Sequence, residues 1–101
     1  MTDTLTPRQR AVLRALAQTI KPILQIGREG LTDAVSRSVL EALNTRELLK
    51  VRVLETAKLT PAELGDALAS ATGAQLVQVI GRTIVLYRRH PEKPEIQLPS
   101  V

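Results

Sequence analysis

The stretch Lys21-Pro22-Ile23-Leu24-Gln25-Ile26-Gly27-Arg28-Glu29-Gly30-Leu31-Thr32 decides the fold. It reads as a short buried strand, a four-residue turn with glycine at both ends, and the start of a helix. Glycine lets the backbone turn tightly and lets another backbone approach with no Cβ between them. The helix that follows presents unpaired N–H groups and the positive end of its dipole. Arg28, between the glycines, adds a full charge. Such an assembly suits a phosphate backbone.

Upstream, Thr6-Pro7-Arg8-Gln9 is a helix start: Thr6 caps, Pro7 takes the first helical position, and Gln9 completes a capping box. The helix is expected to run to about Gln18, with Leu13, Leu16 and Ala17 as its apolar stripe and Val12 beside them. Arg10 and Arg14 are four residues apart and share a face, the wet one by this pattern. Lys21-Pro22 closes the helix, because the residue before proline avoids helical angles. Ile23 to Ile26 is the first strand.

Downstream, Thr32 caps a second helix over roughly Asp33–Asn44, with Val35, Val39, Leu40 and Leu43 on its apolar side. Glu47 to Glu55 is a second strand. Its Leu49, Val51 and Val53 point one way, while Lys50 and Arg52 point the other. Thr60-Pro61-Ala62-Glu63 repeats the capping box, and Leu59 and Leu64 occupy the positions of a hydrophobic staple. The third helix uses Leu64, Ala67, Leu68 and Ala71, and Gly73 ends it. Gln75–Ile80 and Thr83–Arg88 form a hairpin around the two-residue turn Gly81-Arg82. Simple pairing sets Val77 opposite Leu86 and Val79 opposite Ile84 on one face.

The order αβαβαββ asks for right-handed βαβ crossovers with parallel pairing, then an antiparallel hairpin. The expected fold is α/β: a single compact domain with a four-stranded mixed sheet packed with three helices. The domain is expected over residues 1–89. Residues 90–101, with Pro91, Pro94 and Pro99, read as an extended, mobile tail.

The 101 residues suffice for one core and not two. No apolar run reaches the roughly 18–20 residues of a membrane span, and Met1-Thr2-Asp3-Thr4 does not read as the start of a signal peptide. The chain has no cysteine, which excludes disulfides, zinc–thiolate sites and cysteine nucleophiles and fits a reducing compartment. A cytoplasmic protein with no membrane partner is expected. The net charge of +4 lies wholly in residues 1–52, which hold nine Lys/Arg against five Asp/Glu. Residues 53–101 balance. A local basic excess around the Gly27–Gly30 turn suggests an anionic partner.

Catalysis finds little support. His90 is the single histidine and stands beside Pro91, where a tail holds no general base in geometry. The Gly27–Gly30 turn lacks the Gly-Lys-Ser/Thr ending of a P-loop and the three spaced glycines of a dinucleotide site. No enzyme activity, cofactor, metal or small-molecule substrate is therefore expected. Tyr87 is the sole aromatic residue, so bases have almost nothing to stack on. RNA would be read through phosphates, 2′-hydroxyls and shape. The candidate RNA-binding residues are Gly27, Arg28, Glu29 and Gly30 of the turn, with Lys21, Arg10, Arg14, Lys50, Arg52, Arg82 and Arg88 around it. Each cation also has a plainer reading, as a solvated strand or helix residue, a turn residue, or an edge charge against aggregation. A protein-interaction module with an acidic partner and an architectural DNA-binding protein are the rival classes.

Lys21-Pro22, Ile26-Gly27-Arg28-Glu29-Gly30-Leu31-Thr32, Glu47-Leu48-Leu49-Lys50-Val51, Val77-Gln78-Val79-Ile80-Gly81-Arg82 and Val85-Leu86-Tyr87-Arg88, in this order, resemble the YhbY/CRM (chloroplast RNA splicing and ribosome maturation) family. The likeness runs from about Leu5 to Arg89 and includes Ile96–Pro99. It implies a fold similar to the C-terminal domain of translation initiation factor 3. It also implies a glycine loop, Gly27–Gly30, similar to that of KH domains. By the same resemblance the expected partner is ribosomal RNA in precursors of the large (50S) ribosomal subunit. A monomer is expected. Glu29 departs from the neutral or basic residue common at that position.

Overall fold

A computed structural model describes residues 4–100. The elements are α1 (Pro7–Ala17), β1 (Pro22–Ile26), α2 (Asp33–Leu43), β2 (Leu48–Val53), α3 (Pro61–Thr72), β3 (Gln75–Ile80) and β4 (Thr83–Tyr87), in the expected order αβαβαββ. The sheet order is β1-β2-β4-β3. β1 pairs parallel with β2, and β4 runs antiparallel between β2 and β3. Strands β1, β2 and β3 therefore all start at one end of the sheet and finish at the other.

The local signals act as their chemistry requires. Thr6 Oγ1 accepts from Gln9 N and Thr6 N donates to Gln9 Oε1; Thr60 and Glu63 repeat this pair of bonds. Thr32 Oγ1 accepts from Val35 N at 3.1 Å. Gly73 ends α3 in the left-handed region, at φ +75°. Gly81 has φ +57° and Arg82 has no positive φ, the pattern of a turn with glycine first. α1 ends a few residues before Pro22. Its last N–H groups, on Gln18, Thr19 and Ile20, donate to carbonyls three residues back, which tightens the helix and closes it before proline is reached.

Helices cover both faces of the sheet. α2 and α3 close one face over Leu49, Val51, Val53, Ile84 and Leu86. α1 lies on the other, where Leu13 and Ala17 pack with Leu48, Val77, Val85 and Tyr87. Full burial of a leucine such as Leu13 or Leu86 stabilises by about 1.5–3 kcal/mol.

Four details depart from expectation. Leu16 is 43% exposed and Leu40 37% exposed. The buried lines are Leu13–Ala17 on α1 and Val39–Leu43 on α2, residues four apart. Leu16 and Leu40 each sit one residue, about 100° of helical turn, off that line. On α3 the buried residues are Leu64, Gly65, Leu68 and Thr72, and Ala71 is exposed. A Cβ on Gly65 would come within 3.0 Å of Leu76 Cδ1, so this glycine lets α3 settle onto β3. In the hairpin, Val79 pairs with Ile84 as expected, but Leu76, not Val77, stands opposite Leu86. A bulge between Leu76 and Gln78 leaves Val77 unpaired and turns it to the α1 side. Finally, residues 90–100 do not hang free. They fold back so that Ile96 and Leu98 pack against the α1-side core, and Gln9 Nε2 donates to Pro99 O at 2.9 Å.

Candidate nucleic-acid interface

At the end of the sheet where β1 finishes, Gly30 N donates to Gly27 O at 3.0 Å, closing a tight turn with Arg28 and Glu29 exposed at its tip. The two glycines differ. Gly30 has φ +70°, and a Cβ there would stand in open space. Its requirement is conformational. A Cβ on Gly27 would lie 3.3 Å from Thr56 Oγ1 and 3.4 Å from Leu54 Cδ1. Gly27 thus lets the turn pack against the segment that follows β2, and Leu54 N donates to Ile26 O to hold the two together.

The α1 face of the sheet is covered only at the end where β2 and β3 begin. Beyond α1, one row of paired residues crosses all four strands: Gln25, Arg52, Thr83 and Ile80. With strands about 4.8 Å apart, this row is about 14 Å wide. Gln25 and Arg52 are exposed, and Ile80 is 58% exposed. Lys50 lies on the same face and is half-buried.

The sequence-predicted cations fall into two groups. Arg10, Arg82 and Arg88 already bind backbone carbonyls. Arg10 donates to Leu76 O and Val77 O at 2.8 and 2.9 Å, satisfying the carbonyls of the bulge. It does not share a purely wet face with Arg14. Arg82 donates to Val53 O and Leu54 O at 2.8 and 2.7 Å, which fastens the hairpin turn to the end of β2. Arg88 donates to Thr72 O at 3.1 Å, closing the C-terminus of α3. Arg14, Lys21, Arg28, Lys50 and Arg52 make no side-chain hydrogen bond or ion pair among the described residues. Lys21 is not beside the glycine turn. It precedes β1 and Arg28 follows it, so the strand, about 13 Å long at 3.3 Å per residue, separates them.

At the end where the strands start, Glu47 is buried, with 4% of its surface exposed. Its carboxylate accepts from three backbone N–H groups of the returning segment: His90 at 2.6 Å, Glu95 at 2.9 Å and Ile96 at 2.7 Å. Burial pushes its pKa up. The three N–H groups outweigh burial and hold it below the ordinary 4.5. His90 Nδ1 accepts from Glu92 N and Lys93 N, so the imidazole shapes the turn of this segment. Burial, then the Glu47 charge, raises the Tyr87 phenol, opposed by Arg89.

The family model described as the CRS1 / YhbY (CRM) domain matches residues 5–88. The chain belongs to the CRM-domain family. It is 41% identical over 95 residues to a Bacillus subtilis protein named "Probable RNA-binding protein YqeI", covering 94% of this chain and 99% of that one. It is 38% identical over 96 residues to a Haemophilus influenzae protein named "RNA-binding protein", covering 95% and 96%. Its fold matches the solution structure of a Staphylococcus aureus protein proposed to bind RNA, with TM-score 0.76, 42% identity, and 95% and 100% of the two chains covered.

Within this CRM domain, reasoning on the sequence misses Glu47 and Arg46. Glu47 reads as the first residue of the second strand, and only the tail that returns over it reveals its burial. Arg46 lies between α2 and β2, outside every motif. Among the described residues, no helix is long and apolar enough to cross a membrane.

Proposed function

We propose that this CRM domain is a non-enzymatic RNA-binding protein, and that its RNA is ribosomal RNA in precursors of the large subunit. The observation that carries the reading is a basic surface with cations left free. Lys50 and Arg52 rise from the uncovered part of the sheet, Arg28 stands at the tip of the adjoining turn, and none has a partner within the described chain. Two similar relatives carry RNA binding in their names. The ribosomal role rests on the family resemblance.

In this reading Gly27 and Gly30 shape the loop so that an RNA backbone can approach it, and Arg28, Lys50, Arg52, Lys21 and Arg14 contact phosphates. Arg10, Arg82 and Arg88 chiefly hold the surface in place. Tyr87 is buried, so the surface offers no stacking platform and favours folded RNA over unstructured strands. The protein acts as a cytoplasmic monomer.

The test is filter binding of a structured ribosomal RNA fragment, duplex DNA, poly-uridine and an acidic protein, each at two salt concentrations. The structured RNA is expected to bind tightest, with affinity falling steeply as salt rises. Equal affinity for poly-uridine would end the shape-reading mechanism. Preference for DNA or for the acidic protein would replace the functional class.

A further inference from the structure

We infer that the cleft between the α1–β1 and α2–β2 connections, where Lys21 and Arg46 stand together, is a second phosphate-binding point for the same RNA. The inference rests on the RNA-binding reading and locates most of its charge away from the glycine turn.

The cleft has a volume of about 780 Å³ and is lined by Ile20, Lys21, Pro22, Thr45, Arg46 and Leu48, among others. Lys21 and Arg46 are both exposed, and their side chains make no hydrogen bond or ion pair among the described residues. Glu47, next in the chain, makes no ion pair with either: its buried carboxylate is taken up by three backbone N–H groups of the returning segment. Two unpaired cations in an open cleft draw an anion.

The glycine turn has the opposite balance. Arg28 is followed directly by Glu29, and Asp33 occupies the first turn of α2, where a carboxylate offsets the positive helix end. The neighbouring segment after β2 carries both Glu55 and Lys58. Carboxylates thus surround Arg28, while none lines the cleft. β1 is an edge strand, so Lys21 and Arg46 at its start, Lys50 and Arg52 beside it, and Arg28 past its end form one basic margin. An RNA backbone lying along β1 meets the cleft at one end and the turn at the other.

The probe is a synthetic RNA hairpin with a stem of about 16 base pairs, enough for one double-stranded-RNA-binding footprint. Affinity is measured as a function of salt for wild type, Arg28→Gln, the pair Lys21→Gln/Arg46→Gln, and the charge-preserving pair Lys21→Arg/Arg46→Lys, with thermal melting of each. The Gln pair is expected to bind at least about tenfold more weakly and to lower the salt slope by about 1.4–1.8 units, two phosphate contacts' worth. Arg28→Gln should lower it by less than about one unit. The charge-preserving pair should retain the wild-type slope, which shows that charge and not folding is at issue. A Gln pair that melts as wild type and keeps its slope would overturn the second site and leave the RNA-binding reading standing. A wild type that does not bind the hairpin at low salt would overturn both.

Discussion

The two ends of the sheet solve different problems. Where β1, β2 and β3 finish, the chain is pinned by backbone geometry: Gly30 at positive φ, Gly27 against Leu54 and Thr56, and Arg82 on the carbonyls of Val53 and Leu54. Where they start, it is pinned by one buried carboxylate, Glu47, and by the segment that folds back onto it. The two ends thus hold the chain by different chemistry. The glycine motif supplies shape, and unpartnered cations stand at both ends, Arg28 at one and Lys21 and Arg46 at the other.

The largest effect should come from Glu47. Glu47→Ala removes three charge-assisted bonds, and is expected to lower stability by about 2–4 kcal/mol, since water can reach some of the released N–H groups. Urea unfolding measures this, and faster amide exchange at Ile96 locates it. The pKa sign sharpens the point. The folded carboxyl is held below 4.5, so its stabilisation is complete above that value and fades as pH falls through the lower folded value. Tail docking should therefore loosen in acid, and Glu47→Gln should abolish that dependence.

At the opposite end, Arg82→Ala leaves the carbonyls of Val53 and Leu54 without their guanidinium partner. It should cost about 1.5–3 kcal/mol in urea unfolding, with exchange rising at Gly81 and Leu54 rather than at Ile96. A loss that spreads to Ile96 would show that the two ends are one cooperative unit. Gly30→Ala should cost about 1–2 kcal/mol through its left-handed backbone alone, because its Cβ meets nothing. Thermal melting decides it. The smallest effect belongs to Lys21→Gln/Arg46→Gln, within about 0.5 kcal/mol, since both side chains are exposed and unpartnered.

Most of the architecture was legible in the sequence, because its signals are local. Caps at Thr6, Thr32 and Thr60, the alternation of Leu49, Val51 and Val53, and the Gly81 turn each follow from bonds within a few residues. What escaped depends on partners distant along the chain. Val77 changes face because of a bulge whose carbonyls are satisfied by Arg10, 66 and 67 residues away. Leu16 and Leu40 fit the helical period, but each lies one residue off the line that is buried. Among the candidate site residues, charge and glycine pattern were visible. Which arginines were already bound to carbonyls was not, because an Arg82 held by Val53 and Leu54 looks the same in sequence as one left free.

On this reading RNA meets the β1 margin and the uncovered part of the sheet. Amide chemical-shift mapping of the full chain, titrated with the hairpin RNA, tests it most directly. Shifts should concentrate at Lys21, Gln25, Arg28, Arg46, Lys50 and Arg52, leaving the exposed residues of α3, such as Ala62, Asp66 and Ser70, unmoved. Shifts centred on α3, with the β1 margin silent, would put the RNA on the opposite face.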